Sequence, residues 1–312
     1  MSNVKTILIT GSDLAAEAVE LLQDYQLIYA GRQPQEADLI ALCERHNPQA
    51  IIVRYGKING RIMDAAPALR VISKHGSGID VIDQQAAAER QIAVRAAVGA
   101  NAAAVSEHAW ALILACAKSV PQLDRRMRDG HWDKAQHKSL ELEGRTLGLV
   151  GLGAIGSRVA RIGQAFGMQV LAYDPYAQTL PAGCEAVESL DELYSRADVV
   201  SLHCPLTDSN HQMINAAALA RFKPGAILVN TARGGLIDDQ AVATALQNGT
   251  LRAAGLDSFT SEPLTAPHLW QSLNNVIITP HIGGVSDNAY VRMGTGAARN
   301  ALQVLQEQEA VS

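Results

Sequence analysis

Three residues in the last third of the chain have side chains that could together bind a carboxylic acid and transfer a proton to it. Arg233 is in VNTARGGLIDD, Glu262 in LDSFTSEPL and His281 in VIITPHIGG, each after a stretch typical of a strand. Taken singly, each is more often structural. Because loops that follow parallel strands meet at one edge of a sheet, all three can converge there. An Arg that binds a carboxylate and a His oriented by a Glu then predict acid–base chemistry at C2 of a 2-keto or 2-hydroxy acid.

A glycine-rich turn in the middle of the chain predicts a dinucleotide site. Gly151, Gly153 and Gly156 have G-x-G-x-x-G spacing, directly after the apolar run Leu147–Val150 and before apolar residues at helical spacing. Glycines at such a strand-to-helix turn let the backbone approach a pyrophosphate, whose charge is met by N–H groups of the helix. The alternative is an ordinary turn, since the spacing alone is weak.

An acidic residue follows the next predicted strand at the distance expected for a ribose-binding carboxylate. Asp174 lies 174 − 156 = 18 residues after the last glycine. A carboxylate there accepts hydrogen bonds from ribose hydroxyls and repels a 2′-phosphate. Pro175 and Tyr176 come next, rather than Arg or Lys. The pattern therefore predicts NAD in preference to NADP.

Short β-branched stretches alternate with helical stretches along the chain, which is typical of parallel α/β proteins. They form two sets, so we expect two doubly wound parallel-sheet domains. These are a Rossmann nucleotide-binding domain of residues 99–285 and a flavodoxin-like, discontinuous substrate domain of residues 1–98 and 286–312. The helical stretch Asn101–Val120 would connect them, and the helical stretch Ser286–Gln308 would fold back onto the substrate domain. The predicted strands are Val4–Thr10, Ala50–Tyr55, Arg70–Lys74, Ile92–Ala96, Thr146–Val150, Gln169–Tyr173, Asp198–Leu202, Ala226–Asn230, Ala253–Leu256 and Val276–Thr279.

Composition narrows the class of protein. The 312 residues carry a formal charge of −5, which gives no bulk attraction to nucleic acid or to an anionic membrane. The longest apolar stretch, Ala109–Ala117, is too short to cross a bilayer, and the first residues do not resemble a signal peptide. Four scattered cysteines without a CxxC pair favour a reducing cytoplasm and no metal site.

The motifs GLGAIG, NTARGGLID, LDSFTSEP and TPHIGG occur together and in this order. With them, the chain resembles the D-isomer-specific 2-hydroxyacid dehydrogenase family from about Ala50 to about Arg292. The resemblance implies NAD-dependent hydride transfer at C2, with Arg233, Glu262 and His281 as the catalytic trio. It implies cofactor contacts from the glycine loop and from later loops: Gly151, Gly153, Ala154, Ile155, Gly156, Asp174, Pro205, Thr231, Ala232, Asp257 and His281.

Two segments of the first third, IIVRYGKIN and KHGSGIDVID, are similar to the phosphoglycerate dehydrogenase branch of that family. That similarity implies that N–H groups around Ser77 and Gly78 bind the substrate carboxylate, with Asn101 nearby. It places Arg54 and Lys74 at the distal end of the substrate, alongside the contacts from the catalytic Arg and His. Two cations there would favour a distal phosphate or sulfonate, so we expect a 3-phosphoglycerate-like substrate. Lys74 stands where this branch often has Arg, which weakens the case for a phosphate. The alternative is that both cations are solvated surface residues.

Other substrates and one other class of function stay open. Relatives acting on hydroxypyruvate, glyoxylate or sulfolactate have the same trio, whereas formate dehydrogenase relatives usually carry Gln in place of Glu262. A non-catalytic NAD-sensing regulator is the rival class, although no basic patch or added tail favours it. The chain stops at Ser312, so we expect no C-terminal regulatory domain. Family members are typically dimers, which predicts a homodimer joined through SEHAWALILACAKSVPQLDRRMRDGHW.

Overall fold

The computed structural model describes residues 5–309 and divides into two compact units. One unit contains the described residues up to Asn101 together with those from Val285 onward. The other runs from Ala102 to Gly284.

The first unit is built on a five-stranded sheet in the order β2-β1-β3-β4-β5, and all neighbouring strands are parallel. This is the flavodoxin-like doubly wound order, in which the winding reverses between β1 and β3. Its elements are β1 (Thr6–Ile9), α1 (Ala16–Leu21), β2 (Gln26–Tyr29), α2 (Glu36–His46), β3 (Ala50–Val53), α3 (Gly60–Asp64), β4 (Val71–Lys74), α4 (Gln84–Glu89), β5 (Ala93–Ala96) and α11 (Asp287–Glu309).

Helices cover both faces of this sheet, which explains why its central strands are apolar at nearly every position. Residues 7 and 9 of β1 pack with α1 and α11, whereas Leu8 packs with α2 and α3. Gly294 lets α11 lie close to α1, because a Cβ at that position would come 3.3 Å from the Cβ atoms of Ala15 and Ala18. The chain after residue 285 is thus part of this unit's core.

The second unit is a seven-stranded parallel sheet in the order β12-β11-β10-β9-β6-β7-β8. The winding reverses between β6 and β9, as in Rossmann domains. Its elements are α5 (Ala102–Lys118), α6 (Val120–Arg128), β6 (Thr146–Val150), α7 (Gly156–Ala165), β7 (Gln169–Tyr173), β8 (Cys184–Ala186), α8 (Leu190–Arg196), β9 (Val199–Leu202), α9 (Ala216–Leu219), β10 (Ala226–Asn230), α10 (Asp239–Gln247), β11 (Leu251–Leu256) and β12 (Val276–Ile278), with 3₁₀ turns at Asp208–Asn210, Gly234–Leu236 and Leu269–Ser272.

The two parallel sheets confirm the predicted fold class, but two strands were missed. Both are edge strands: β2 is partly exposed, and β8 has only three residues. The predicted helix Asn101–Val120 is interrupted at Ser119, whose φ of 54° is left-handed, and α6 follows with Pro121 in its first turn. Val4, expected to begin the first strand, lies outside the described residues. In the part of the chain that is described, no helix has the length and apolar character needed to cross a membrane.

Candidate active site

His281 and Glu262 form a hydrogen-bonded pair in the second unit, in the loops after β12 and β11. Nδ1 of His281 lies 2.8 Å from Oε2 of Glu262, and Oε1 of Glu262 accepts the backbone N–H of Phe259 at 2.9 Å. The carboxylate is therefore fixed through both oxygens, and it fixes the imidazole in turn. Nε2, on the opposite side of the ring, is the nitrogen that can exchange a proton with a ligand.

The pKa values of Glu262 and His281 are both shifted in the direction that favours proton donation by His281. Burial acts to raise the pKa of Glu262, but hydrogen bonds from His281 and Phe259 outweigh burial and hold the pKa below its usual value. The hydrogen bond with Glu262 raises the pKa of His281, against the opposing effect of burial. The imidazolium therefore persists to a higher pH than it would in an isolated histidine.

Arg233 lies close to this pair, after the end of β10. Its charge lowers the pKa of both Glu262 and His281, and its Nη1 donates to the carbonyl of Ala232 at 2.8 Å. The next residue, Gly234, allows the loop to lie directly against the Glu262 loop, because a Cβ there would come 2.0 Å from the carbonyl carbon of Phe259. The structure thus brings the three predicted residues to one edge of the sheet.

Asp257 holds the loop that carries His281. Its buried carboxylate accepts the Thr279 hydroxyl at 2.6 Å and the N–H groups of Ile282 and Gly283 at 2.9 and 2.8 Å. Burial acts to raise the pKa of Asp257, but the nearby His108 and these other donors keep the pKa below its usual value. The sequence predicted a cofactor contact at this residue, and in the structure its carboxylate is an anchor.

His108 and Thr279 complete this anchor and were not found by the sequence reasoning. Nε2 of His108 lies 2.9 Å from Oγ1 of Thr279 and 3.4 Å from Oδ1 of Asp257. Because the threonine hydroxyl donates its only proton to Asp257, it must accept one from His108. No local sequence pattern predicts the contact between His108 and Thr279, since His108 lies within an alanine-rich helical stretch like any other residue of that helix.

The glycine loop after β6 has the shape of a pyrophosphate cradle. Gly151 has a φ of 97°, and a Cβ there would come 2.8 Å from the carbonyl group of His203. At Gly156, the first residue of α7, a Cβ would come 2.1 Å from the carbonyl oxygen of Gly151. Gly153, by contrast, has nothing within 4 Å of the same point, so its face is open for a ligand. Ala154 and Ile155 form the rest of the turn.

The other predicted cofactor residues follow neighbouring strands of the same sheet. Asp174 comes directly after β7, where its two oxygens accept the N–H groups of Leu152 at 2.7 Å and Tyr176 at 2.9 Å. Each carboxylate oxygen retains a lone pair for a ribose hydroxyl. Oγ1 of Thr231, after β10, is buried without a hydrogen-bond partner within the described residues. These features fit a dinucleotide. Pro205 and Ala232 lie in the loops after β9 and β10.

The predicted substrate residues of the first unit lie at the end of β4 or in the loops after β3, β4 and β5. Ser77 Oγ donates to Oδ1 of Asn101 at 3.3 Å, and Gly78 is the next residue in the same loop. Lys74 Nζ donates to the carbonyl oxygens of Val53 at 3.3 Å and Arg54 at 3.2 Å. The structure therefore joins Ser77 to Asn101 and joins Lys74 to the backbone of Arg54.

Comparison with known proteins agrees with this geometry. Residues 110–283, more than half of the chain, match the family model described as D-isomer specific 2-hydroxyacid dehydrogenase, NAD binding domain. The chain belongs to this family. Among residues 5–309, no cluster of His, Cys, Asp or Glu has the arrangement of a metal site.

Relatives within the dehydrogenase family carry different substrate names. D-3-phosphoglycerate dehydrogenase of Mycobacterium bovis is 38% identical over 94% of this chain, which spans about half (56%) of that longer protein. Hydroxypyruvate reductase of Thermotoga maritima is also 38% identical, over 90% of this chain and 92% of its own length. D-lactate dehydrogenase of Aquifex aeolicus, solved with NAD and lactic acid, is 30% identical with a TM-score of 0.84, covering 96% of each chain. Family membership thus leaves the substrate open.

The raised pKa of His281 leads to a prediction for the reduction of a 2-keto acid. With His281 as the proton donor, we expect reduction to require the imidazolium and to be lost as pH rises through the pKa of His281. Glu262→Gln keeps a hydrogen-bond acceptor but removes the charge that raises this pKa. We therefore expect the alkaline limb of the pH profile of kcat/KM to move to lower pH.

His281→Ala is the comparison variant for this experiment. It should lower turnover by about 100-fold to 10,000-fold while NADH still binds, because general acid catalysis typically contributes that much. An unmoved alkaline limb in Glu262→Gln would contradict the role given to the pair.

Asp174 leads to a second prediction, on cofactor preference. Asp174→Ala should weaken the binding of NAD and reduce the preference for NAD over NADP, because it removes ribose contacts and the repulsion of a 2′-phosphate. Dissociation constants for both reduced cofactors, measured by fluorescence, test it. Asp191→Ala, which removes a surface carboxylate paired with Arg221 in the same unit, is the matched control. A wild-type preference for NADP would contradict this reading of Asp174.

Proposed function

We propose that the chain interconverts a small D-2-hydroxy acid and its 2-keto acid with NAD. The observation that carries the proposal is the His281–Glu262 pair beside Arg233, within a domain of an NAD-binding family. The unit's glycine loop and Asp174 would hold the cofactor. When bound, NADH supplies the hydride that C2 accepts.

The roles of the three residues follow from their charges. Arg233 would bind the substrate carboxylate and orient the neighbouring carbonyl. His281 would donate the proton on Nε2 to the carbonyl oxygen at C2, which becomes the hydroxyl. Glu262 holds the ring in place and stabilises its charged form, as the raised pKa of His281 indicates. In oxidation, His281 takes that proton back.

Ser77, Gly78, Asn101, Arg54 and Lys74 are proposed as the further substrate contacts. The loop containing the first two would bind the carboxylate through its N–H groups. For the distal end, hydroxypyruvate is the substrate that the geometry supports best. Arg54 is paired with Asp13, and Lys74 donates to backbone carbonyls, so both cations already have partners. An uncharged hydroxymethyl group does not require either cation.

A phosphate-bearing acid is the second candidate. It is supported by the resemblance of the first third of the chain to the phosphoglycerate dehydrogenase branch and by the identity to the mycobacterial relative. Both substrates have three carbons, and they differ in the phosphoryl group on C3, which adds bulk and negative charge in place of a hydroxyl proton.

A substrate panel provides the test. With NADH and equal enzyme, we expect kcat/KM for hydroxypyruvate to exceed that for its 3-phosphate by about tenfold or more, a difference of about 1.4 kcal/mol. Glyoxylate, which has no C3 group, gives the baseline. A preference for the phosphate would favour the second candidate. NADH binding without turnover of any 2-keto acid would favour a regulator.

We propose that the chain forms a homodimer through the α5–α6 region. No residue of α6 is buried within the chain, and Val120, Met127 and Trp132 are 56%, 52% and 74% exposed. Apolar side chains exposed to this extent in one segment favour an interface.

Sedimentation at micromolar concentration tests the dimer. We expect a species of twice 33.2 kDa for the wild type and dissociation in the double variant Val120→Glu/Met127→Glu, because two buried charges would oppose association. Val98→Glu, at a residue 79% exposed in the other unit, is the control. A wild-type monomer at this concentration would contradict the proposal.

A reducing cytoplasm is the compartment that we propose for this protein. Cys43, Cys116, Cys184 and Cys204 are all free thiols, as is usual where disulfides are kept reduced.

A further inference from the structure

Asp13 and Arg54 meet at the point of the first sheet where its winding reverses. Asp13 follows β1 and Arg54 follows β3, and these adjacent strands belong to opposite halves of the doubly wound order. In open α/β sheets, ligands bind outside the carboxyl ends of the strands at this position. The side chains found there are therefore the ones that a ligand of this unit would meet.

The guanidinium of Arg54 is already engaged at this position. Its Nη1 donates to both the backbone carbonyl and the carboxylate of Asp13. The Arg54 side chain is only 10% exposed, whereas the Asp13 side chain is 59% exposed. Gly11 makes room for this arrangement, because a Cβ there would come 3.0 Å from Cδ of Arg54. A ligand would thus reach the carboxylate more easily than the cation.

Two tyrosines fix the pair. The Tyr290 hydroxyl donates to Oδ2 of Asp13 at 2.7 Å, and the Arg54 guanidinium lies 5.1 Å from the Tyr290 ring centroid and 5.3 Å from that of Tyr55. The hydrogen bonds from Tyr290 and Arg54 lower the pKa of Asp13, so its carboxylate is ionised near neutral pH. The aromatic faces favour a cation in the Arg54 position and the hydroxyl favours an anion beside it.

Of the other groups around the pair, His75 and Tyr290 add no charge, whereas Lys74 adds a positive one. Burial, together with the charges of Arg54 and Lys74, lowers the pKa of His75 to about 4, so its imidazole is neutral. Burial and the hydrogen bond to Asp13 raise the pKa of Tyr290 to about 12, so its hydroxyl keeps its proton. Lys74 donates to two backbone carbonyls.

We propose that Asp13, held by Tyr290, is a specificity-determining residue that disfavours substrates with an anionic group on C3. This proposal rests on the proposed function, and the substrate property that this unit would distinguish is the charge of the group on C3. A phosphate or sulfonate would have to displace the carboxylate from Arg54 or lie against a like charge. A C3 hydroxyl can instead donate a hydrogen bond to Asp13.

Asp13→Asn tests the inference, because the amide keeps the size of the side chain and can still accept from Tyr290. The measured quantity is kcat/KM for 3-phosphohydroxypyruvate and for hydroxypyruvate, each divided by that for glyoxylate in the same variant. The ratio for the phosphate should rise by about tenfold or more, and the ratio for hydroxypyruvate should fall. The change should appear in KM, since the role proposed for Asp13 concerns the group on C3 and not the proton transfer.

Two further variants separate specificity from structure. Asp64→Asn removes the same charge from the same unit, at a carboxylate paired with Arg90, and should leave both ratios at their wild-type values. Tyr290→Phe keeps the ring over Arg54 but loses the hydroxyl that holds Asp13, and should raise the phosphate ratio about threefold. The proposal would be overturned if Asp13→Asn changed kcat/KM equally for all three substrates. It would also be overturned if the phosphate ratio stayed at its wild-type value in both Asp13→Asn and Tyr290→Phe.

A binding measurement distinguishes failure of this inference from failure of the proposed function. If the wild type reduces none of the three keto acids, the proposed function fails. In that case, calorimetry with inorganic phosphate would still measure whether Arg54 is available to bind an anion. Binding about tenfold tighter in Asp13→Asn than in the wild type, and lost again in Asp13→Asn/Arg54→Ala, supports the inference. Equal binding by wild type and Asp13→Asn overturns it.

Discussion

The parallel direction of every strand in each sheet is the constraint on which the sites depend. Because the strands share one direction, every loop that follows a strand emerges at the same edge of its sheet. Residues far apart in sequence, such as Gly153, Arg233 and His281, can then contribute to one region of the second unit. A parallel sheet also requires helices on both faces, which accounts for the apolar strands and for the distance along the chain between successive loops.

Convergence at one edge is not enough for chemistry, since the loops must also be held to a fraction of an ångström. In the second unit this is done by buried polar contacts and by missing side chains. Asp257 ties down the loop of His281 through a hydroxyl and two N–H groups, and His108 orients that hydroxyl from α5. Gly234 lets the Arg233 loop pack on the Glu262 loop. Burying a carboxylate destabilises a fold unless its oxygens accept hydrogen bonds. Here the donors to Asp257 belong to the loop that must stay in place.

The sequence was informative where function imposes a local pattern. The glycine spacing after an apolar strand predicted the cradle, and Arg233, Glu262 and His281 could be found because each follows a predicted strand. The edge strands β2 and β8 were missed because short, half-exposed strands carry little periodic signal. Asp13, Tyr290, His108 and Thr279 were missed for another reason. Tyr290 and Asp13 are 277 residues apart, and no local pattern indicates that they meet.

The carboxylate–cation pairs of the two candidate sites have different consequences because their cations differ. In the second unit the partner of Glu262 is a histidine, which can lose its proton, so the carboxylate sets the pH range over which a proton is available. In the first unit the partner of Asp13 is an arginine, which stays charged at any physiological pH, so the carboxylate cannot tune a proton and only cancels a charge. In the proposed roles, the same ionic contact would govern proton availability in one unit, and in the other it would govern which charges a ligand encounters. An arginine at the end of a strand indicates an anion site only when no acid of the fold already occupies it.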